Sequence, residues 1–272
     1  MRTPKEAGRA MGEYTLDNTW HQARRRLTLL EAWLDPGTIR HLEALGVGEG
    51  WHCLEIGGGG GSIVEWLSRR VGPSGHVFAT DISTRFLDAL DLPNLEVHRH
   101  DVVHDDLPEG AFDLVNARLV LTHLAEQDTA LRRMVKALKP GGWLLVEEMD
   151  CLTWIPDPAG DPAAVALFRK GVRAIEQVMS EAGVDLYYGR RLFGEVRTHK
   201  LIDLAAEGRA LMVHGGTPNA HELRLTAEQL LSRDSMSAGL LSEQERSDYL
   251  ALLEHPDFVW MGRMIMAVWG RR

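Results

Sequence analysis

The sequence predicts an α/β fold: a doubly wound, mostly parallel sheet with helices on both faces. Between residues 48 and 150, apolar stretches of strand length alternate with stretches of helical periodicity. This is the pattern of βαβ units with right-handed crossovers. The first predicted strand leads directly into five consecutive glycines, residues 57–61. The length of 272 residues is enough for one large α/β domain with a helical addition.

The elements before residue 150 follow from periodicity and capping signals. Apolar residues at helical spacing predict a first helix over residues 18–34. Asp35 and Pro36 have the pattern of an N-cap followed by proline, which predicts a second helix ending near Leu45. Five strands and three more helices follow: strands in WHCLEI, GHVFATDI, NLEVHRHDV, FDLVNARL and WLLVEEMD, and helices from Ser62 to Arg70, from a Ser83 cap to Ala89, and over residues 126–138.

The pattern changes after Asp150. Asp161-Pro162 opens a long helix, and the segment RALMVHGG is a candidate sixth strand. Two later helices are predicted from capping-box signatures, Thr226 with Gln229 and Ser242 with Glu245. The final stretch, FVWMGRMIMAVWGRR, predicts a seventh strand that pairs antiparallel at the edge of the sheet.

This organisation divides the chain into three segments. Residues 1–47 are expected to form N-terminal helices that cover a cofactor site, and residues 48–150 the core that binds the cofactor. Residues 151–272 are expected to supply the last strands and helices that form a lid over the substrate.

Composition excludes several classes of protein. A net charge of −9 argues against a sequence-independent grip on nucleic acid. Two cysteines, Cys53 and Cys151, are too few for a disulfide framework or a zinc cluster and fit a reducing compartment. No apolar run is long enough to span a bilayer, and the N-terminus lacks the apolar region of a secretory signal. A cytoplasmic protein without membrane contact is therefore expected.

The glycine turn does not fit the common phosphate-binding motifs. Glycine after a first strand marks the nucleotide site of doubly wound folds. However, a dinucleotide fingerprint needs glycine or alanine five residues after its first glycine, and Ser62, Ile63 and Val64 stand in the three possible frames. No Gly-Lys-Ser/Thr sequence follows for a P-loop. A nicotinamide-dependent oxidoreductase is thus an alternative with little support.

The run from Glu55 to Gly61 resembles the first motif, E/D-x-G-x-G-x-G, of class I S-adenosylmethionine-dependent methyltransferases. A carboxylate at Glu55 would repel a diphosphate and attract the ammonium group of this cofactor. The resemblance continues in order through FATDIS, HRHDVV, FDLVNARLVLTHL and ALKPGGWLLVEE, and covers residues 48–150. The later stretches YGRRL, VHGG and AVWGRR resemble bacterial small-molecule methyltransferases of the ubiquinone/menaquinone-methyltransferase-like group.

The resemblance implies roles for individual residues in holding S-adenosyl-L-methionine. Asp81 would accept hydrogen bonds from both ribose hydroxyls, while Asp101 and the backbone N–H of Val102 would meet the adenine. Asn116 has an alternative as a polar strand-end residue, and Trp20 as a core residue. The full set of implied cofactor residues is Trp20, Glu55, Gly57, Gly59, Gly61, Asp81, Ile82, Asp101, Val102, Asn116, Ala117 and Arg118.

Two residues are candidates for catalysis. His123 follows the fourth strand on the expected substrate side, and Glu148 lies at the end of the fifth. His123 has a structural alternative, in which it caps a helix or stacks within the domain. A general base is optional, because methyl transfer depends mainly on alignment. No metal site is expected, because strand alternation places His98 and His100 on one face and Asp101 on the other.

The expected function is methylation of O, N or C on a small metabolite, with an apolar or aromatic acceptor suggested by the Leu-, Met- and Trp-rich lid helices. Tyr187, Tyr188 and Arg190 either contact this acceptor or pack at the surface. The alternative is a protein of the same fold that binds S-adenosylmethionine without transferring methyl. The oligomeric state is left open, with a homodimer among the options.

Overall fold

The structure is a computed structural model and describes residues 16–231 and 239–272. Its strands are β1 (His52–Ile56), β2 (His76–Asp81), β3 (Leu95–Arg99), β4 (Phe112–Arg118), β5 (Leu138–Asp150), β6 (Ile155–Pro156), β7 (Ile202–Arg209), β8 (Met212–His214), β9 (Val259–Met261) and β10 (Met264–Arg271). Its helices are α1 (Ala23–Ala44), α2 (Ser62–Val71), α3 (Gln127–Ala137), α4 (Pro162–Glu181), α5 (Gly189–Arg197), α6 (Pro218–Leu231) and α7 (Glu243–Leu252).

Seven strands form the main sheet, in the order β3-β2-β1-β4-β5-β10-β7. Strands β1 to β5 are parallel, and β10 runs antiparallel to both of its neighbours, β5 and β7. The predicted doubly wound, seven-stranded sheet with an antiparallel last strand is therefore confirmed. A second sheet of three strands, in the order β6-β9-β8, lies among the added helices.

The position of the last strands differs from the prediction. Strand β10 lies inside the sheet, and β7 takes the edge. RALMVHGG is not the sixth strand of this sheet: it overlaps β7 only at Arg209, and its β8 portion pairs with β9 in the second sheet. Strand β7 was missed because its sequence, IDLAAEGR, lacks the apolar run of a buried strand. Most of its side chains are exposed or half-buried, as an edge position allows.

The predicted break between two N-terminal helices is wrong. A single helix, α1, continues through Pro36. Asp35 does not cap a helix: its carboxylate accepts a hydrogen bond from Ser62 and pairs with Arg118. Burial of one side of α1, including Leu34 and Leu42, outweighs the local stop signal, because packing routinely overrides a single unfavourable residue.

The other capping predictions gave mixed results. Asp161 caps α4, and Ser242 forms a full capping box with Glu245 at the start of α7, as predicted. Thr226 instead lies within α6, where its hydroxyl donates to Glu222. The stretch after Ser83 is a 3₁₀ helix, and the Ser83 side chain makes no capping hydrogen bond.

Helices cover both faces of the main sheet. Leu54, Val115 and Val146 pack toward α3 and α5 on one face, and the intervening residues, such as Cys53 and Leu114, pack toward α1 and α2 on the other. A third core joins α4, α6, α7 and the small sheet around the aromatic residues Phe168, Tyr249, Phe258 and Trp260. Across the described residues, none of the helices combines the length and apolarity that a bilayer crossing would need.

The third core yields a stability prediction. A Cβ atom at Gly171 of α4 would lie 2.6 Å from Cζ of the buried Tyr249 ring. We expect Gly171→Ala to lower the free energy of unfolding by about 1–3 kcal/mol, because overpacking forces rigid neighbours apart. Gly194→Ala on α5, where nothing lies within 4 Å, is the matched control and should stabilise the protein by about 0.5–1 kcal/mol. Denaturant unfolding measures both, and an equal response of the two variants would contradict this packing.

Candidate active site

The glycine turn joins β1 to α2 at the carboxyl edge of the sheet. The three motif glycines, Gly57, Gly59 and Gly61, all have positive φ angles of 71°, 54° and 96°, which only glycine adopts without strain. The turn is fastened to the end of β2, because Gly57 and Gly58 donate backbone hydrogen bonds to Thr80 O at 2.8 and 3.0 Å.

Packing disfavours a side chain at four of the five turn residues. A Cβ atom at Gly57 would overlap the Val120 side chain, and one at Gly61 would lie 2.8 Å from Leu90 Cδ1. At Gly58 it would be 3.1 Å from Leu87. At Gly60 it would overlap the carboxylate of Glu31 on α1. Only at Gly59 is the nearest atom as distant as 3.8 Å, so this glycine has room beside it for a ligand.

Helix α1 lies directly over the turn. The Arg24 guanidinium donates to Gly60 O at 2.6 Å, and Ser62 N–H donates weakly to Glu31 Oε1 at 3.4 Å. Burial raises the pKa of Glu31, and the nearby Arg24 opposes that rise. Sequence reasoning missed Glu31. The available signal was its place between Leu27 and Leu34, two buried positions on one side of the helix.

Glu55 lies below the turn, paired with the neighbouring strand. Its side chain is 3% exposed and accepts a hydrogen bond from Asn116 Nδ2 at 2.7 Å. Burial raises the pKa of Glu55 to about 8, and the Asn116 bond only partly opposes this effect. Glu55 is therefore mainly protonated at neutral pH in the unliganded protein. The sequence analysis assumed that Glu55 is a charged carboxylate. In the structure, Glu55 would be charged only with a cation nearby.

Arg118 also faces α1 rather than open solvent. Its guanidinium pairs with Asp35 at 3.0 Å and donates to Thr38 Oγ1 at 2.9 Å. Thr38 in turn donates to Glu147, which also contacts His41 Nδ1 at 3.1 Å. A buried polar network thus fixes α1 across the ends of β4 and β5.

Asp81 connects the β2 end to the glycine turn. Its two oxygens accept backbone hydrogen bonds from Gly59 at 3.0 Å and Ser83 at 2.9 Å. Burial raises the pKa of Asp81 against the effect of these bonds. Ile82 follows it with a side chain 42% exposed, an apolar surface next to a polar anchor.

The remaining predicted cofactor residues are more spread out. After β3, Asp101 accepts from Val103 N–H at 2.9 Å and contacts His104 at 3.0 Å, while the Val102 side chain is buried. Ala117 is buried on the face of the sheet opposite Asn116. Trp20 precedes α1, is partly buried and lies edge-on to His21. These observations do not test whether the residues contact a cofactor, so their cofactor roles stay predictions.

The two candidate catalytic residues meet at the turn after β4, where His123 is part of the turn and Glu148 reaches it from β5. Both oxygens of Glu148 are engaged by backbone N–H groups of that turn, Val120 and Leu121 on Oε1 at 3.0 and 2.6 Å and Thr122 on Oε2 at 3.3 Å. Burial raises the pKa of Glu148 to about 8, although these bonds oppose it. Glu148 therefore holds the turn that carries His123. Burial, with a contribution from Arg26, lowers the pKa of His123 to about 4, so its imidazole is neutral at neutral pH.

The residues at the start of α5 contact the end of β5 and one another. Arg190 forms two hydrogen bonds with Asp150, at 2.7 and 2.6 Å, and its guanidinium stacks 4.8 Å from the Tyr187 ring centre. The Tyr188 ring is fully buried. Among the residues described, no cluster of three His, Cys, Asp or Glu side chains has the arrangement of a metal site.

Comparison with known proteins agrees with this geometry. Residues 54–146, the strands and helices that carry the glycine turn, match the family model of the methyltransferase domain. The ubiquinone/menaquinone biosynthesis C-methyltransferase UbiE of Pseudomonas putida is 36% identical over 115 residues, which are 39% of this chain and 45% of that protein. The enzyme of the same name from Ralstonia pickettii is 28% identical over 187 residues, 53% of this chain and 76% of that protein.

Solved structures share the fold at low sequence identity. Phosphoethanolamine N-methyltransferase 2 of Haemonchus contortus aligns with 96% of this chain and 60% of its own, with a TM-score of 0.58 and 16% identity. The YcgJ protein of Bacillus subtilis aligns over 85% of this chain and 97% of its own, with a TM-score of 0.54 and 12% identity.

The match over residues 54–146 and these relatives confirm the predicted resemblance to class I S-adenosylmethionine-dependent methyltransferases. Among them, the chain is similar to the ubiquinone/menaquinone C-methyltransferases. It spans less than half the length of the Pseudomonas putida relative.

The buried Glu55 yields a pH prediction. Between its ordinary pKa of 4.5 and its folded value of about 8, the folded protein keeps a proton that the unfolded chain has lost. The contribution of Glu55 to wild-type stability therefore falls as pH rises through this interval. Glu55→Gln keeps an acceptor for Asn116 and cannot ionise. We expect its free energy of unfolding, relative to wild type, to increase from pH 4.5 to 8 and then level off. Parallel pH profiles in denaturant unfolding would contradict the buried, protonated acid.

Proposed function

We propose that the protein is an S-adenosylmethionine-dependent methyltransferase that acts on a small-molecule acceptor. The observation that carries the proposal is the pair of acids in contact with the glycine turn, Glu31 above it and Asp81 beside it. Glu55, buried below the turn, becomes charged only when a cation lies nearby. Such a site attracts a cationic ligand and repels phosphate.

The backbone donors of the turn support the same ligand class. A diphosphate would need free N–H groups at the start of α2. The Gly59 N–H is already bonded to Asp81, and the Ser62 N–H points to Glu31. Acids thus occupy the positions where a dinucleotide would place its phosphates, which disfavours the nicotinamide alternative.

The cofactor orientation follows from the order of these groups. Asp81 accepts the ribose hydroxyls with lone pairs that its two backbone bonds leave open. Ile82, Asp101 and Val102 border the adenine. The amino-acid end then lies along the glycine turn beside Gly59, where Glu31 is the carboxylate placed to accept its ammonium group. Trp20, Gly57, Gly61, Asn116, Ala117 and Arg118 complete the proposed surroundings.

The protein's part in catalysis is mainly alignment and exclusion of water. Bound S-adenosylmethionine supplies a methyl group already activated on a sulfonium. Helix α1 covers the turn from above, and the Glu148 carboxylate fixes the backbone that carries His123. His123 is neutral at neutral pH, and its pKa of about 4 makes it a weak base, so its proposed catalytic role is to orient the acceptor. Glu148 supports this role by positioning the His123 turn.

The proposal also assigns roles to the segments before and after the core. Residues 1–47, of which the structure describes 16–47, cover the cofactor, and residues 151–272 form the acceptor side. A narrow cleft lined by Trp33, Trp154 and Trp260 lies there, but it is too small for a metabolite. The apolar or aromatic acceptor is therefore proposed from the Leu-, Met- and Trp-rich sequence of these helices. Two buried free thiols, Cys53 and Cys151, support a cytoplasmic location.

Binding of S-adenosylhomocysteine and of NAD tests the proposal by calorimetry. The wild type should bind S-adenosylhomocysteine and not NAD. Asp81→Ala should weaken that binding by about 10- to 100-fold, because charge-assisted hydrogen bonds to the ribose are lost. Asp88→Ala, which removes an exposed acid from the neighbouring 3₁₀ helix, is the control and should bind like wild type.

Two outcomes would count against this function. Binding of NAD in place of S-adenosylhomocysteine, or unchanged affinity in a folded Asp81→Ala protein, would remove the cofactor assignment. Incubation with labelled S-adenosylmethionine and candidate metabolites then separates the enzyme from a non-transferring binder. Label transfer and release of S-adenosylhomocysteine identify the enzyme, and binding without either identifies the binder.

A further inference from the structure

Arg26 is a buried cation for which the described residues supply no counter-charge. It lies on α1 and is 1% exposed. Its Nε and Nη2 atoms are enclosed, and no described residue accepts a hydrogen bond from them. Its neighbours in sequence, Arg24 and Arg25, are exposed, so burial sets Arg26 apart from the rest of this basic run.

This arrangement is costly for the unliganded protein. A guanidinium stays charged at any accessible pH, and a buried charge without a counter-charge destabilises the fold. The other buried arginine, Arg263, shows the usual solution: it pairs with Glu222 at 2.8 Å and lies between the rings of Trp33 and Trp154. Among the described residues, no carboxylate forms an ion pair with Arg26. The charge of Arg26 lowers the pKa of His123. His123 cannot serve as its counter-charge, because an imidazole is never negative at accessible pH.

The location of Arg26 indicates where a missing partner would lie. On α1, Arg24 and Glu31 are seven residues apart and share the side that contacts the glycine turn. Arg26 projects from another side of the helix, in line with Trp33, which lines the aromatic cleft. Its electrostatic effect on His123 indicates that it lies within electrostatic range of the turn after β4, where the proposed acceptor would react.

We propose that Arg26 binds a carboxylate of a molecule held between α1 and the His123 turn. A planar guanidinium with unpaired donors matches a carboxylate in geometry and charge. Two sources have this chemistry: an acid group on the methyl acceptor, and the carboxylate at the amino-acid end of the cofactor. The cofactor carboxylate as the source rests on the proposed function. An acid group on another bound molecule can be tested without it.

The test compares carboxylate-bearing probes with neutral ones in wild type, Arg26→Met and the control Arg25→Met, which removes the adjacent exposed charge. S-adenosylhomocysteine is paired with 5′-methylthioadenosine, which lacks the amino-acid end. Benzoate is paired with benzyl alcohol. We expect Arg26→Met to lose about tenfold or more in affinity for one carboxylate probe while keeping its affinity for the neutral counterpart. Loss confined to S-adenosylhomocysteine identifies the cofactor carboxylate, and loss confined to benzoate identifies an acidic acceptor.

The unfolding temperature without ligand provides the second readout. Arg26→Met should unfold at a higher temperature than wild type, because an uncompensated buried charge is removed. Arg25→Met should change neither binding nor stability. The proposal is overturned if Arg26→Met binds all probes like wild type, or if it loses stability and binds charged and neutral probes equally poorly. Failure of wild type to bind S-adenosylhomocysteine would refute the proposed cofactor, while the benzoate arm would still test Arg26.

Discussion

The close approach of helix α1 to the glycine turn is the contact on which the candidate site depends. Gly60 lacks a side chain where the Glu31 carboxylate packs against it, and Arg24 bonds to the same residue's carbonyl. With any larger residue at Gly60, the Glu31 carboxylate would have to move away from the turn. The five glycines therefore serve two purposes. They give the turn its backbone shape and let four surrounding side chains close around it, with space left at Gly59 for a ligand.

Burial decides the charge of the groups beneath that contact. Glu55 and Glu148 have pKa values raised to about 8, and the pKa of His123 is lowered to about 4, so all three are largely neutral near pH 7. Each change follows from removing a charge from water, because the hydrogen bonds to Glu55 and Glu148 only partly offset that cost. A cationic ligand would reverse the balance for Glu55. Ligand binding and proton release are thus linked at this site.

Much of the core could be predicted from the sequence, because its signals are local. The apolar run of β5 and the acid–glycine motif after β1 each indicate their element without knowledge of neighbours. The errors arose where a distant contact decides the outcome. Proline at position 36 is a local stop signal, yet packing carries α1 through it. The edge strand β7 needs no apolar pattern, and Glu31 is adjacent to the glycine turn only in the folded chain.

The central claim is that Glu31 makes the turn a site for the cationic end of the cofactor. The most direct measurement compares the affinities of S-adenosylhomocysteine and 5′-methylthioadenosine in wild type, Glu31→Gln and a control, Glu43→Gln, at an exposed position of α1. The account predicts that Glu31→Gln weakens S-adenosylhomocysteine binding by about 10- to 100-fold and leaves methylthioadenosine binding unchanged, with Glu43→Gln like wild type. If Glu31→Gln affects both ligands equally, or neither, the carboxylate only packs against the turn.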